Sequence, residues 1–252
     1  MRHLVTGGAS GIGLATVRML AADGHDVIAM DTDEAMLAAL ADVPGVITYA
    51  GSVVSEADCQ KVAGLAAAQL GGLDGVSHSA GIQRYGTAAD TTLEIWDEVI
   101  AVNLTGAFLV AKATLPLVRA SRGAYVFIGS VQSLATQQGV AAYTVSKHGL
   151  LGLTRSIAVD FADEGVRANL VAPGAVATPM LDWALSLAPD PDRVRHELRQ
   201  MHPLGRIATP EDVAGVIAFL LSTQSAFVTG EVVRVDGGML ARIGGSPKGD
   251  KQ

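Results

Sequence analysis

The chain has 252 residues, of which 49% are hydrophobic and 17% charged, which excludes disorder over most of its length and allows one large α/β domain. Lys and Arg total 18 against 25 Asp and Glu, and the resulting charge of −7 argues against a nucleic-acid or anionic-membrane partner. The single cysteine, Cys59, has no disulfide partner, and the 6 histidines show no ligand spacing, so no metal site is expected.

Short β-branched runs alternate with longer helical patterns. The first strand is predicted at His3–Thr6, so close to Met1 that no signal peptide is expected, and a cytoplasmic location follows as an expectation. Helix Ile12–Asp23, strand Asp26–Met30, helix Asp33–Leu40, strand Val46–Tyr49, helix Ser55–Leu70 and strand Gly75–His78 come next. The second half reads as helix Leu93–Arg119, strand Ala124–Ile128, helix Ala141–Asp163, strand Arg167–Val171, helix Pro210–Leu221 and strand Val232–Val235. Several strands are apolar throughout, as strands covered on both faces should be. The order implies a doubly wound, parallel, seven-stranded Rossmann-type sheet in one domain over residues 1–240. No apolar run reaches the ~18 residues of a membrane span. The stretch 174–203, with Pro179, Pro189 and Pro191, interrupts the alternation and has the length of a substrate lid; residues 241–252, rich in Gly, Pro and Lys, are expected to form a flexible tail.

Two constellations carry chemistry. Gly7, Ser10, Gly11, Ile12 and Gly13 follow the first strand and open a helix, where glycines permit close approach to a pyrophosphate and the helix N-terminus supplies N–H donors. Asp31 ends the second strand about 20 residues on, where a carboxylate accepts from ribose hydroxyls and repels a 2′-phosphate. Ser10 and Thr32 add no positive charge, so NAD is favoured over NADP; the competing role for Asp31 is capping the next helix. The second constellation is Tyr143 and Lys147, four apart on one helical face, where an ammonium favours the phenolate.

Together with Asn103 in Val102-Asn103-Leu104, Ser130 after the fifth strand, Pro173-Gly174 with Thr178, and Val235-Asp236-Gly237-Gly238, these motifs resemble the compact, single-domain branch of the short-chain dehydrogenase/reductase family over about residues 3–238. The resemblance implies that Tyr143 is the general acid/base, that Ser130 holds the substrate oxygen, and that Lys147 binds the nicotinamide ribose. It implies further that Asn103 positions a water linking Lys147 to solvent. Pro173, Gly174, Val176 and Thr178 would line the carboxamide. Two departures stand out: His78-Ser79-Ala80-Gly81 replaces the family's Asn-Asn-Ala-Gly, and Ser52-Val53 replaces an Asp-Val pair that touches adenine. Both predict weaker cofactor contacts rather than loss of the site.

Arg84, Gln132, Gln138, Trp183 and His202 are the candidate substrate residues. That polar set points to a small sugar, polyol or hydroxy/keto-acid, and the general look of these regions resembles the family's sugar dehydrogenases. A β-ketoacyl-thioester reductase is the rival enzyme reading, which Asp31 disfavours because those enzymes usually take NADP. A non-catalytic dinucleotide sensor is the rival of another class, and it would be expected to lack the Tyr/Lys pair. The family's habit of forming tetramers, with apolar long helices here, implies a homotetramer.

Overall fold

The computed structural model describes residues 1–243; part of the expected tail lies outside the described residues. Seven strands form one parallel sheet: β1 (Arg2–Thr6), β2 (Asp26–Asp31), β3 (Val46–Ala50), β4 (Gly75–His78), β5 (Ala124–Ile128), β6 (Arg167–Pro173) and β7 (Val232–Val235). Their spatial order is β3-β2-β1-β4-β5-β6-β7, every neighbour pair parallel. The order reverses between β1 and β4, and a crevice opens there at the carboxyl ends of the strands.

Alternation along each strand divides the core in two. Leu4, Ile28, Val76, Tyr125, Phe127 and Leu170 face the side covered by α3 (Glu56–Leu65), α5 (Gly106–Ser121) and α6 (Ala141–Asp160). Val5, Val27, Ala29, Val126, Ile128 and Val171 face α1 (Gly11–Ala22), α2 (Glu34–Ala38) and α9 (Pro210–Leu221). Burial on both faces is why these strands read as continuous apolar runs rather than alternating ones.

The expected helix Leu93–Arg119 is not uniform. It consists of α4 (Leu93–Ile100), a π-helical turn at Ala101–Thr105, and α5, which ends at Ser121. The π turn shifts the helical phase, and Asn103 is thereby fully buried. Leu93–Ser121 is the one helix among the described residues long and apolar enough, by length and composition, to cross a membrane. Its inner stripe of Ala107, Val110, Ala111 and Val118 is buried in the fold against the sheet layer, and Val99 is buried against Val140, Ala142 and Tyr143. Ser55–Leu70 behaves similarly, α3 passing into a π turn at Ala66–Leu70.

The segment 174–203 is more regular than its prolines suggested. Pro179 and Pro191 start helices α7 (Pro179–Ser186) and α8 (Pro191–Met201), capped by Thr178 and Asp190. Proline at the first helical turn removes an N–H that would have had no partner, so it begins these helices instead of breaking them.

Two buried histidines make the fold acid-sensitive. Burial, with repulsion from His25 and from Lys147 respectively, pushes both His3 and His78 down to about 3. Above pH ~6.5 both states are neutral; below it the unfolded chain binds protons that the native chain refuses. Unfolding free energy should therefore fall by about 1.4 kcal/mol per pH unit per histidine between ~6.5 and ~3. Denaturant titrations across that range check this, and His78→Asn should remove one histidine's share of the slope.

Candidate active site

The crevice is a cleft of about 630 Å³ that runs from the β2 end of the sheet to α7 and α8. The glycine turn after β1 forms its floor. Gly7 (φ +64°) and Gly11 (φ +50°) lie in the left-handed region that favours glycine. A Cβ on Gly13 would overlap the Gly7 carbonyl oxygen, and one on Gly7 would sit 2.8 Å from Ala80 N. Ser10 occupies the N-cap of α1, yet its hydroxyl caps no helical N–H and stays available to a ligand.

The Asp31 carboxylate is fixed by two backbone donors, Ala9 N–H at 3.1 Å and Asp33 N–H at 3.2 Å. It does not cap the helix that follows; Asp33 does, accepting from Met36 N–H. Ser52 and Val53 line the same end, with Met30, Thr32 and Gly51 beside them. Ser52 N–H is held by Asp58 Oδ2, which fixes the turn after β3.

Beyond β4, Ser79, Ala80 and Gly81 line the middle of the cleft. Ser79 Oγ lies 3.2 Å from Ser77 Oγ, and its N–H donates to the Thr6 carbonyl. Asn103 lies outside the lining. Its Oδ1 accepts from Ile82 N–H at 2.8 Å, and its Nδ2 donates to the Ile82 carbonyl at 2.9 Å and to Ser146 Oγ at 3.0 Å. These bonds tie the chain leaving β4 to α6.

Tyr143 and Lys147 are both buried, on the first turns of α6. Lys147 Nζ donates to the Ile128 carbonyl at 2.8 Å and stands 5.5 Å from the centre of the Tyr143 ring. Burial pushes the Tyr143 phenol up to about 12, opposed by its contact with the Ser130 side chain, and lowers the Lys147 ammonium to about 8. Desolvation outweighs the Ser130 contact, which favours the protonated form of Tyr143. Ser130 Oγ accepts from Gln132 N–H at 3.1 Å, and the hydroxyl hydrogen remains free to donate.

Pro173, which ends β6, and Gly174, Val176 and Thr178 beyond it line the cleft. Thr178 Cγ2 would lie 3.1 Å from a Cβ on Gly11, which shows how closely this loop rests on the glycine turn.

The five substrate candidates separate. Gln132 and His202 line the cleft, whereas Arg84, Gln138 and Trp183 do not. His202 is internally satisfied: Nε2 accepts from Ala175 N–H at 3.1 Å while Nδ1 donates to the Leu198 carbonyl at 2.6 Å. Arg84 is engaged by Glu98 at 2.6 Å and by the Gln83 carbonyl, and its guanidinium lies over Trp183, which stacks on Tyr85. The sequence reading missed Tyr85, Gln83, Gln137 and the wall from α7 and α8. A signal for that wall was present: Val194, Leu198 and Met201 repeat at helical spacing within an otherwise charged stretch.

A family model described as enoyl-(acyl carrier protein) reductase matches residues 7–240. A 2-(S)-hydroxypropyl-CoM dehydrogenase of Xanthobacter autotrophicus is 36% identical over 94% of this chain and 95% of its own. A 3-oxoacyl-(acyl-carrier-protein) reductase of Thermotoga maritima is 35% identical over 94% and 96%. The chain belongs to the short-chain dehydrogenase/reductase family. Among solved structures, a ligand-free aldohexose dehydrogenase of Thermoplasma acidophilum superposes with a TM-score of 0.88 at 29% identity, covering 100% of this chain and 97% of that one. As a member of the short-chain dehydrogenase/reductase family, the chain is an oxidoreductase acting on alcohols or ketones. The family typically uses a nicotinamide cofactor, and the glycine cradle, in which added Cβ atoms would overlap backbone, fits one.

Gly13→Ala should weaken reduced-dinucleotide binding by about 100-fold or more, because the new methyl group meets backbone that cannot yield. Gly152→Ala, with open space around its Cβ, should leave binding unchanged in the same fluorescence titration.

Proposed function

We propose that this chain is a NAD-dependent oxidoreductase that moves a hydride between the nicotinamide ring and the carbinol or carbonyl carbon of a small molecule. The observation that carries the reading is the trio at the middle of the cleft: buried Tyr143 beside half-buried Ser130, with buried Lys147 5.5 Å from the tyrosine ring centre. When bound, the nicotinamide dinucleotide supplies or accepts the hydride. Tyr143 donates its proton to the carbonyl oxygen during reduction and takes it back during oxidation. Ser130 donates to the same oxygen and orients it. Lys147, fixed by the Ile128 carbonyl, favours the phenolate when it forms and would bind the nicotinamide ribose with its remaining N–H groups. Asn103 acts as a positioning residue: its amide is already engaged by Ile82 and Ser146, and it holds the loop after β4 at the right height over α6.

NAD follows from Asp31. Its carboxylate stands at the end of β2 with Thr32 and Ser52 as neighbours in the lining, and among the described residues no cation lines that end to receive a 2′-phosphate. Gly7, Ser10, Gly11, Ile12 and Gly13 would hold the pyrophosphate, and Ser52, Val53, Ser79, Ala80 and Gly81 the adenosine half. Pro173, Gly174, Val176 and Thr178 would meet the carboxamide. The β-ketoacyl-thioester reading keeps the same chemistry; Asp31 weighs against it through the cofactor.

We place the enzyme in the cytoplasm as a homotetramer with a small-molecule substrate and neither a membrane nor a nucleic-acid partner. Phe108 on α5 and Val145 and Val159 on α6 are exposed apolar residues suited to contact between copies. Segment 174–203 serves as the lid, and the Tyr85–Trp183 stack at 5.9 Å ties α7 to the loop after β4.

Tyr143→Phe should lower kcat by 10²- to 10⁴-fold, on the order expected for losing a general acid/base, with cofactor binding retained. Because oxidation needs deprotonated Tyr143 and reduction needs the protonated form, the oxidative rate should rise with pH while the reductive rate falls. In a steady-state assay with both cofactors, Asp31→Ser with Thr32→Arg should reverse the preference toward NADP. Unchanged preference would place cofactor selection elsewhere.

A further inference from the structure

Resting on the hydride-transfer reading above, we propose that the substrate is a neutral, mainly hydrocarbon secondary alcohol or its ketone, rather than a sugar, polyol or carboxylate. The wall that α7 and α8 present to the cleft consists of Met180, Leu181, Leu185, Val194, Leu198 and Met201, with Ala184 between them. Facing it from the loops after β4 and β5 are Ile82, Tyr85 and Val131. An apolar enclosure of this kind gains from displacing water by hydrocarbon and offers almost nothing to a row of hydroxyls.

The charge balance of the lining is equally restrictive. Asp31 and Lys147 are the only formally charged side chains among the described residues of the lining. Asp31 sits at the far end, held by Ala9 and Asp33. Lys147 is buried and committed to the Ile128 carbonyl, beside Tyr143. The nearby cation on the loop after β4, Arg84, is turned away from the lining and bound to Glu98. An acidic substrate would therefore bury its carboxylate without a counter-ion at the substrate end, a cost that no contact there offsets.

Beyond the hydroxyls of Ser130, Tyr143 and Tyr85, the polar capacity of the substrate end comes from amides. Gln132 is buried, and its Oε1 accepts from Thr144 Oγ1 at 3.2 Å, leaving the amide hydrogens as donors beside Ser130. That suits one acceptor oxygen on an otherwise apolar body. Gln83 and Gln137 line the cleft as well. For a polyol, each further hydroxyl left without a partner costs about tenfold or more in affinity.

The test compares kcat/KM with NAD on size-matched alcohols: cyclohexanol and 1-phenylethanol, then xylose and myo-inositol, then lactate and 3-hydroxybutyrate. The neutral apolar pair should lead by at least tenfold. Leu198→Asn should reduce that lead tenfold or more while leaving NADH binding, measured by fluorescence, unchanged. Preference for a sugar, polyol or hydroxy acid would overturn the apolar assignment and keep the hydride-transfer reading. Indifference of the apolar pair to Leu198→Asn would overturn it too. No turnover of any class by protein that binds NADH would remove both readings together.

Discussion

The site depends on how closely the chain leaving β1 passes the chain leaving β4. Thr6 closes β1, and its carbonyl accepts Ser79 N–H at 3.2 Å while its hydroxyl meets His78 Nδ1 at 3.0 Å. One residue later Gly7 comes so near Ala80 that a Cβ would stand 2.8 Å from its nitrogen. This crossing lies where the strand order reverses, and it brings two groups of residues into register. Ala9, just past the turn, holds Asp31. Gly81, just past the other strand, lies within reach of both Asn103 and Lys147: a Cβ on it would be 3.3 Å from Asn103 Oδ1 and 3.4 Å from Lys147 Nζ. Glycine is needed at Gly7 because the surface a Cβ would meet there is the Ser79–Ala80 backbone, whereas at Gly81 it would meet the side chains of Asn103 and Lys147.

The architecture was legible because its signals are local and strong. Apolar strands covered on both faces, separated by helices, permit few topologies, and Gly75–His78, Ala124–Ile128 and Val232–Val235 have the boundaries their residues suggested. The π turn at Ala101–Thr105 left no comparable signal. Its residues, Ala, Val, Asn, Leu and Thr, suit an ordinary helix, and only packing against Ile82 and Ser146 makes the shifted phase worthwhile. The prolines of 174–203 misled in a different way. At an N1 position proline starts a helix, and whether it breaks or begins one depends on a capping residue whose partner is visible only in three dimensions.

Residues at the substrate end were harder to read than those at the cofactor end for a physical reason. A cofactor site made of backbone and glycine constrains sequence tightly at few positions. A substrate wall needs only apolar bulk at helical spacing, which looks the same as a core stripe. Polar residues drew attention in the sequence, but Arg84 is neutralised by Glu98 and His202 spends both ring nitrogens on the backbone of the Ala175 loop and α8. Gln132 lines the cleft beside Val131 on the short 3-10 turn after Ser130, and its amide oxygen is held by Thr144 Oγ1 at 3.2 Å.

Lys147 is anchored by a main-chain oxygen rather than by an acidic side chain. Its placement is thus insensitive to which residue stands at position 128 and sensitive to where that peptide lies along the strand. Tolerance at this point in the chain should be governed by length: exchanging one apolar residue for another at the end of β5 preserves the anchor, whereas adding or deleting a residue before Ser130 would slide the carbonyl past the ammonium and uncouple the pair.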